Sequence, residues 1–580
     1  MSPIREYRWT FRSEAETSAE QSEAIQKLID QLNISPILAR ILVNRNIDSY
    51  EQARAFFRPS LEDLHDPFLM DQMDVAVERI IRAIANNESI VVYGDYDVDG
   101  TDSTAMLWSF LRDAGANVRY FIPDRVNDGY GLSVIGIDRV HELPVSLLIS
   151  VDCGVTAVEQ VEYARSQGID VIICDHHEPG NQLPHAVALL DALKPSCAYP
   201  FKSLCGCGVA FKLIQALCTK EPIKSKLGDE AQKLLLNYLQ YVTLATTADI
   251  VPLVGENRTL VKLGMELINS IPLPGIHALI ETAGVHSNKI SSGQVVFVLA
   301  PRINAVGRLG SANRAVELLT APSYDHALQF ARVMEEENLT RRKIDEETFT
   351  KAQEIVEQYL NGDNDSAIVL HQEQWHPGVI GIVASRLVER YYLPTILMTT
   401  VDGKAKGSAR SISGFNIHEA LKRCEDKLIQ FGGHKYAAGL TVELDKVDEF
   451  REAFNEVARE LLTDKLRTPE IRIDAEVQLA DLTPKFVRIL SQFAPFGPEN
   501  MRPVFAVHSV EVAGQPRIVG KNHLRFKVRS NTHVLDAIGF NLGELLPRVP
   551  SGGKIDIAFS LDESDYSGEV IPQLKIRDIK

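Results

Sequence analysis

Between residues 71 and 265 short apolar runs alternate with amphipathic stretches. Runs at 89–93, 146–151, 170–174 and 186–190 are rich in Val, Ile, Leu and Ala. Unbroken apolar runs of this length read as strands covered on both faces. The stretches between them, such as 155–168, carry a helical period. This alternation predicts an α/β domain with a parallel sheet and helices on both faces. Ligands of such sheets gather beyond the carboxyl ends of the strands, so the polar residues that end each run matter most.

The pattern changes on either side. Residues 1–70 have helical periodicity at 18–32, a Ser35-Pro36 helix start and a Ser49-Tyr50-Glu51-Gln52 cap. They predict a helical, peripheral N-terminal region. Residues 266–360 form a connecting region that ends in a stretch, 324–360, without Gly or Pro and rich in Glu, Lys and Arg. That stretch reads as one long charged helix, a spacer between domains. Its Asn338, Arg341 and Arg342 could also face a nucleic acid. Residues 361–462 hold a strand at 365–370 and a turn feeding a helix at 375–387, a second and smaller α/β domain. In 463–580 Val, Ile and Phe alternate with charged residues, as in a β domain.

Composition narrows the class. A chain of 580 residues, 45% hydrophobic and 24% charged, fits a globular protein of three or four domains. No run of 18 apolar residues is present, so no membrane span is expected. The first residues lack an apolar stretch, so no secretory signal is expected. Seven cysteines, an odd number, fit a reducing, cytoplasmic setting. Cys197, Cys205, Cys207 and Cys218 lie close together but lack the paired spacing of a structural zinc site. Cys153 and Cys174 read as small buried side chains. The net charge of −17 argues against a uniformly basic nucleic-acid binder. Acidic metal sites can carry that charge while a local channel stays basic.

The chemistry centres on Gly94-Asp95-Tyr96-Asp97-Val98-Asp99-Gly100. Three carboxylates at alternate positions follow the first strand, and like charges so close repel one another. A divalent cation resolves the conflict. A solvated acidic turn or a calcium loop has a similar pattern. The next strands end in Asp152-Cys153-Gly154 and in Asp175-His176-His177, and an apolar stretch at 244–248 leads to Asp249. One strand-end Asp is more often a helix cap. Four elements that each deliver Asp or His predict a shared metal site. Carboxylates with imidazole suit Mn²⁺ or Mg²⁺, and two such ions can activate water and stabilise an attacked phosphate.

The set Asp95/Asp97/Asp99, Asp152, Asp175-His176-His177 and Asp249 resembles the motifs of the DHH phosphoesterase superfamily. Among its members the chain is most similar to the single-strand-specific 5′→3′ DNA exonucleases, from about residue 35 onwards. The resemblance implies two divalent cations, Mn²⁺ or Mg²⁺. Asp97 and Asp99 would bind different ions, Asp152 would bridge them, and His176 and Asp249 would complete the second. Asp95 would be a direct or water-mediated ligand. His177 would orient the site or meet the scissile phosphate, with a buried hydrogen bond as its alternative role. Asp152, His176 and His177 are thus the expected catalytic residues. Arg125, in the loop 122–132, and Arg302 and Arg308, in 301–308, would face substrate phosphate. Gly432-Gly433-His434-Lys435-Tyr436-Ala437-Ala438-Gly439 matches the motif of the companion domain, DHHA1. There Ser408 and Arg410 would hold a 5′-terminal phosphate and His434 would face the cleft. The stretch 516–528 resembles an OB domain, a β-barrel that binds single strands through basic grooves and aromatic stacking. Its contacts would be Lys521, His523, Arg525 and Lys527. Two positions depart from the family pattern: Cys207 in place of a small aliphatic residue, and Asp191-Ala192 in place of Asn-Pro. The implied partners are single-stranded DNA, a single-strand-binding protein and a helicase, with no membrane; the implied process is recombination and repair. Other expectations stay open: a phosphodiesterase of short oligoribonucleotides or cyclic dinucleotides, and a non-catalytic scaffold of a replication assembly.

Overall fold

The computed structural model describes residues 6–12, 18–124, 128–129, 131–142, 144–285, 289–359, 365–564 and 571–580. A short strand β1 (Arg8–Phe11) comes first. The parallel sheet follows: β2 (Ser89–Tyr93), β3 (Asn117–Phe121), β4 (Leu147–Val151), β5 (Asp170–Cys174) and β6 (Ala188–Leu190), in the order β3-β2-β4-β5-β6. Alternate residues of the central strands serve two cores. Ile90, Val92, Leu147, Ile149 and Ile172 pack with the helices Val98–Asp113 and Gly206–Leu217. Val91, Tyr93, Leu148, Val171 and Ile173 pack with Val134–His141 and Val158–Ser166. Both faces are covered, as the unbroken apolar runs require. The edge strand β3 is half-buried and polar at Asn117 and Arg119, so no clean apolar run announces it.

Register sets the acids in a row. Tyr93 pairs with Ser150, Val151 with Cys174, and Cys174 with Leu190. Carried past the strand ends, the same register brings Asp95 beside Asp152, Asp152 beside Asp175, and Asp175 beside Asp191. The Asp152 N–H donates to the Cys174 carbonyl at 2.9 Å and the Asp175 N–H to the Leu190 carbonyl at 3.0 Å.

The second sheet has β7 (Ile368–His371), β8 (Thr395–Val401), β9 (Lys404–Arg410), β10 (Gln430–Gly433) and β11 (Ala437–Glu443), ordered β10-β11-β9-β8-β7. The long helix Tyr324–Tyr359 joins the two domains over roughly 54 Å, at about 1.5 Å per residue. Ala327, Ala331 and Met334 sit in the first core, and Ala352 and Val356 pack with Trp375 and Val379 of the second. Asn338 is buried and accepts from the half-buried Arg341, so of the expected cluster only Arg342 is exposed.

The last region holds β12 (Glu470–Ile473), β13 (Ala475–Glu476), β14 (Phe505–Val519), β15 (His523–Ser530), β16 (His533–Gly539), β17 (Lys554–Ser564) and β18 (Ile571–Ile579). The ring β14-β15-β16-β18-β17 closes through β14–β17 pairing into a five-stranded barrel. The N-terminal region is not peripheral, contrary to expectation. Leu28, Leu38, Leu42 and Phe56 share one core with Phe505 and Leu574 of the barrel, and β1 pairs in parallel with β12. The apolar stripes of these helices need a partner, and nothing local in the sequence says which. Arg258 fastens the two ends of the chain to the first domain. Its buried guanidinium lies over the Phe56 ring and donates to the carbonyls of Phe56, Gln492, Phe493, Ala494 and Pro495.

Candidate metal centre and substrate cleft

The acidic triplet does not stay extended. Asp97 caps the helix Val98–Asp113, its side chain accepting from the Gly100 N–H at 3.1 Å. Asp99 lies inside the first helical turn and is buried. Its two oxygens accept from the Gly206 and Cys207 N–H groups, each at 2.7 Å. These donors open the helix Gly206–Leu217, whose N-terminal dipole favours an anion. A Cβ on Gly206 would lie 2.7 Å from Asp152 Cβ, so this close approach requires glycine.

Asp152 leaves β4 with φ 61°, a left-handed backbone that turns its carboxylate across the strand ends. His176 Nε2 lies 3.1 Å from Asp152 Oδ1, 3.6 Å from Asp249 Oδ2 and 3.7 Å from Asp99 Oδ2. Asp249 caps the helix Glu230–Ala248. Three groups of donor atoms converge within 4.8 Å: Asp95/Asp97/Asp152, Asp99/His176/Asp249 and Asp152/His176/His177. Asp152 is common to the first and third, and His176 joins the second to the third.

Asp175 has another task. Its Oδ1 accepts from the His176 N–H, the His177 N–H and His177 Nδ1, and its Oδ2 from the Val155 N–H at 2.8 Å. It organises both histidines from below and is absent from the converging groups.

The electrostatics are those of an anion cluster that wants a cation. Burial, with the charge of Asp99, pushes the Asp97 carboxyl up, and burial with Asp99 and Asp97 pushes Asp152 well up. The same causes raise Asp249 to about 8. Burial lowers His176. Burial would lower His177 too, but the hydrogen bond and charge of Asp175 hold it at about 9. Asp152 Oδ1 and His176 Nε2 are buried and, although 3.1 Å apart, make no hydrogen bond. Buried acceptors without donors cost stability unless something positive meets them. Carboxylate oxygens with imidazole nitrogen fit a divalent cation of the Mn²⁺ or Mg²⁺ kind.

Beyond the acids a cleft of about 1010 Å³ opens between the two α/β domains. Ser408 and Arg410 of β9 line it, with Arg308, His376, Gly378 and Gly381. Arg410 Nη1 donates to Ser408 Oγ at 2.9 Å, and Gly381 lets the N-terminal turn of the helix Ile380–Tyr391 pack against both side chains. A guanidinium, a hydroxyl and a helix N-terminus together suit a phosphate. Arg308 donates to the Gly378 carbonyl across the domain boundary. His434 is exposed, one residue beyond the lining Gly433. Arg302 is a correction: its buried guanidinium is closed off by Glu335 and the Val298 carbonyl, and it fixes the helix Ala300–Leu309 to the long helix instead of meeting phosphate. The sequence could not show that its partner lies 33 residues on. Arg125 lies outside the described residues. On the barrel, Lys521, Arg525 and Lys527 are exposed and His523 is half-buried, with Arg525 3.8 Å from Asp536.

A parallel sheet with converging carboxylates and imidazoles at its carboxyl edge, beside a phosphate-suited cleft, defines a metal-dependent phosphoesterase. Comparison with known proteins specifies it. The DHH family, N-terminal domain, matches residues 89–246, the DHHA1 domain 364–460 and the RecJ OB domain 473–578. The chain is 38% identical over 559 residues to the single-stranded-DNA-specific exonuclease RecJ of Bacillus subtilis, covering 96% of this chain and 69% of that protein. It is 34% identical over 562 residues to the Escherichia coli RecJ, covering 94% and 96%. The crystal structure of RecJ in complex with Mn²⁺ from Thermus thermophilus superposes with a TM-score of 0.82 at 27% identity, over 99% of this chain and 79% of that one. The RecJ from that organism is also known in complex with Mg²⁺. The chain belongs to the RecJ family of single-stranded-DNA-specific exonucleases.

Proposed function

We propose that the protein is a 5′→3′ exonuclease of single-stranded DNA that releases nucleotides by metal-dependent phosphodiester hydrolysis in recombination and repair. The observation that carries this reading is the join of acid centre, phosphate-suited cleft and five-stranded barrel in one chain. Phosphoesterases of dinucleotides do not need the barrel, and a non-catalytic scaffold does not need the complete acid and histidine set.

Asp95, Asp97, Asp99, Asp152, His176 and Asp249 would hold two divalent cations. Bound there, Mn²⁺ or Mg²⁺ supplies Lewis-acid stabilisation of the attacked phosphate and a nucleophilic hydroxide at neutral pH. Asp152, common to two donor groups, keeps both ends of the centre in register. His177, held up by Asp175, presents an imidazolium that stabilises charge on the scissile phosphate. Ser408 and Arg410 hold the 5′-terminal phosphate, with Arg308 and His434 beside them, and so measure the cut from the strand end. Lys521 and Arg525 guide the strand over the barrel. Contacts to phosphate position the strand without reading sequence, so binding is salt-sensitive and largely indifferent to base. A single-strand-binding protein and a helicase that supply unpaired strands are the proposed partners, and the cytoplasm the proposed compartment. Among the described residues no single helix is long and apolar enough to cross a membrane.

The test is digestion, with Mn²⁺, of one long strand labelled separately at each end, beside its duplex. Early release of the 5′ label as mononucleotide with the duplex spared is the expected result. Inert long strands with rapid cleavage of dinucleotides would move the protein to the small-substrate branch.

A further inference from the structure

The row of acids past the strand ends has a fourth member, Asp191, which none of the converging donor groups includes. It follows β6, at the position where this chain carries Asp in place of the Asn of the family pattern. The residue is fully buried. Its Oδ1 accepts the Leu193 N–H at 2.7 Å and so turns the chain directly after the strand. Its Oδ2 is buried and has no hydrogen-bond partner among the described residues.

The charged groups that face Asp191 are Asp175 and His177, which follow β5, and Lys194 on its own loop. Asp175 is a full carboxylate acceptor, taken up by the N–H groups of Val155, His176 and His177 and by His177 Nδ1, and it has no donor to give. Lys194 is buried and pairs with Asp71 at 3.0 Å, and the same Asp71 oxygen accepts from Ser196 Oγ at 2.9 Å. Lys202 donates to the carbonyls of Ala192 and Cys197. An ionised oxygen buried without a donor, next to a second carboxylate, is costly. A neutral acid avoids that cost and offers one acceptor and one donor, as an amide does. Burial first, and then Asp175, raise the Asp191 carboxyl to about 7, against the Leu193 N–H, Lys194 and His177.

The backbone carries the consequence to the centre. The Asp175 N–H donates at 3.0 Å to the Leu190 carbonyl, which belongs to the peptide that leads into Asp191. The turn closed by Asp191 Oδ1 therefore fixes the peptide on which Asp175 rests, and Asp175 sets both histidines.

We propose that Asp191 is a positioning residue for hydrolysis: as a neutral acid it holds the peptide that supports Asp175, and once ionised it repels Asp175 and loosens that support. This rests on the reading of the Asp175-His176-His177 loop as part of a hydrolytic centre. The strand-binding cleft does not include Asp191, so the effect falls on kcat and spares KM.

The full chain, saturated with Mg²⁺, is compared with Asp191→Asn and Asp191→Ala on a 5′-phosphorylated strand from pH 6 to pH 8.5. At pH 6, Asp191→Asn should match the wild-type kcat within about two-fold, and Asp191→Ala should fall well below both. The neutral fraction of a carboxyl drops about ten-fold per pH unit above its titration point, so the kcat ratio of Asp191→Asn to wild type should rise at least about ten-fold by pH 8.5, with KM unchanged. A purely structural role would leave that ratio flat. Independently of activity, the infrared difference between wild type and Asp191→Asn should carry the carbonyl stretch of a neutral carboxylic acid at pH 6 and lose it by pH 8.5. A flat ratio, an Asn variant as weak as the Ala variant at pH 6, or no such band at pH 6 would overturn the proposal. Failure of the wild-type protein to cut the strand at any pH would instead sink the exonuclease reading, while the infrared band still decides the state of Asp191.

Discussion

His177 Nδ1 lies 2.7 Å from Asp175 Oδ1, and the same oxygen accepts the N–H groups of residues 176 and 177. One carboxylate oxygen thus sets both the rotamer and the charge of His177 and the backbone that carries His176. The hydrogen bonds and the charge of His177 hold Asp175 ionised although burial opposes it. Charge-assisted bonds of this kind are the strong ones.

Asp175→Asn is therefore not a mild change. The amide keeps one acceptor oxygen and sets an NH₂ group where the carboxylate accepted from Val155 or from the histidines. A buried donor facing a donor costs about 1–3 kcal/mol. Hydrolysis of a 5′-labelled strand should fall at least a hundred-fold, and the urea midpoint should drop. A variant with near-native activity would show that the histidines do not depend on Asp175.

Asp152 separates chemistry from binding. It joins two donor groups and is not among the residues that line the cleft. Asp152→Ala should abolish nucleotide release while fluorescence anisotropy still reports binding of the strand within about three-fold of wild type. It should also weaken Mn²⁺ binding measured by calorimetry. Undiminished Mn²⁺ binding would remove Asp152 from the centre.

At the other side of the cleft, Arg410 and Ser408 are the groups suited to a terminal phosphate. Loss of a charge-assisted phosphate contact is worth about 1–3 kcal/mol. Arg410→Ala should cut kcat/KM for a 5′-phosphorylated strand about ten-fold or more and leave a 5′-hydroxyl strand nearly unaffected. Equal losses on both substrates would move the end-binding pocket elsewhere.

How much of this was legible beforehand follows from what each residue answers to. The strands β2, β4 and β5 are covered on both faces, so their runs and the acids that end them stood out. The edge strand β3 did not, because half its surface faces solvent. Asp99 and His176 came from local motifs, but their meeting depends on sheet register and on a helix that begins 107 residues after Asp99. Arg302 carried the right chemistry for phosphate, yet the long helix supplies Glu335 at contact distance and consumes it. The N-terminal helices announced an apolar stripe and no destination. Charge type and period are local properties; pairing of distant charges and choice of docking surface are not.

Lys262 tests the docking of the N-terminal region to the first domain. Its ammonium donates to the Phe57 carbonyl at 2.6 Å, and burial, then the nearby Arg258, lower it to about 8; Lys289 acts in the same sense and Glu266 against it. In the unfolded chain a lysine titrates near 10.4. Between these values the unfolded state binds more protons than the folded one, so the contribution of Lys262 to stability rises with pH across that window. Partial exposure screens the effect to about 1–2 kcal/mol. Buried tyrosines and cysteines titrate in the opposite sense at alkaline pH, so the informative quantity is the difference between wild type and Lys262→Met. Urea midpoints taken at pH 7.5 and pH 10 should show wild type gaining on the variant as pH rises. A difference that stays flat would place the Lys262 ammonium in water and its contact with Phe57 outside the docked interface.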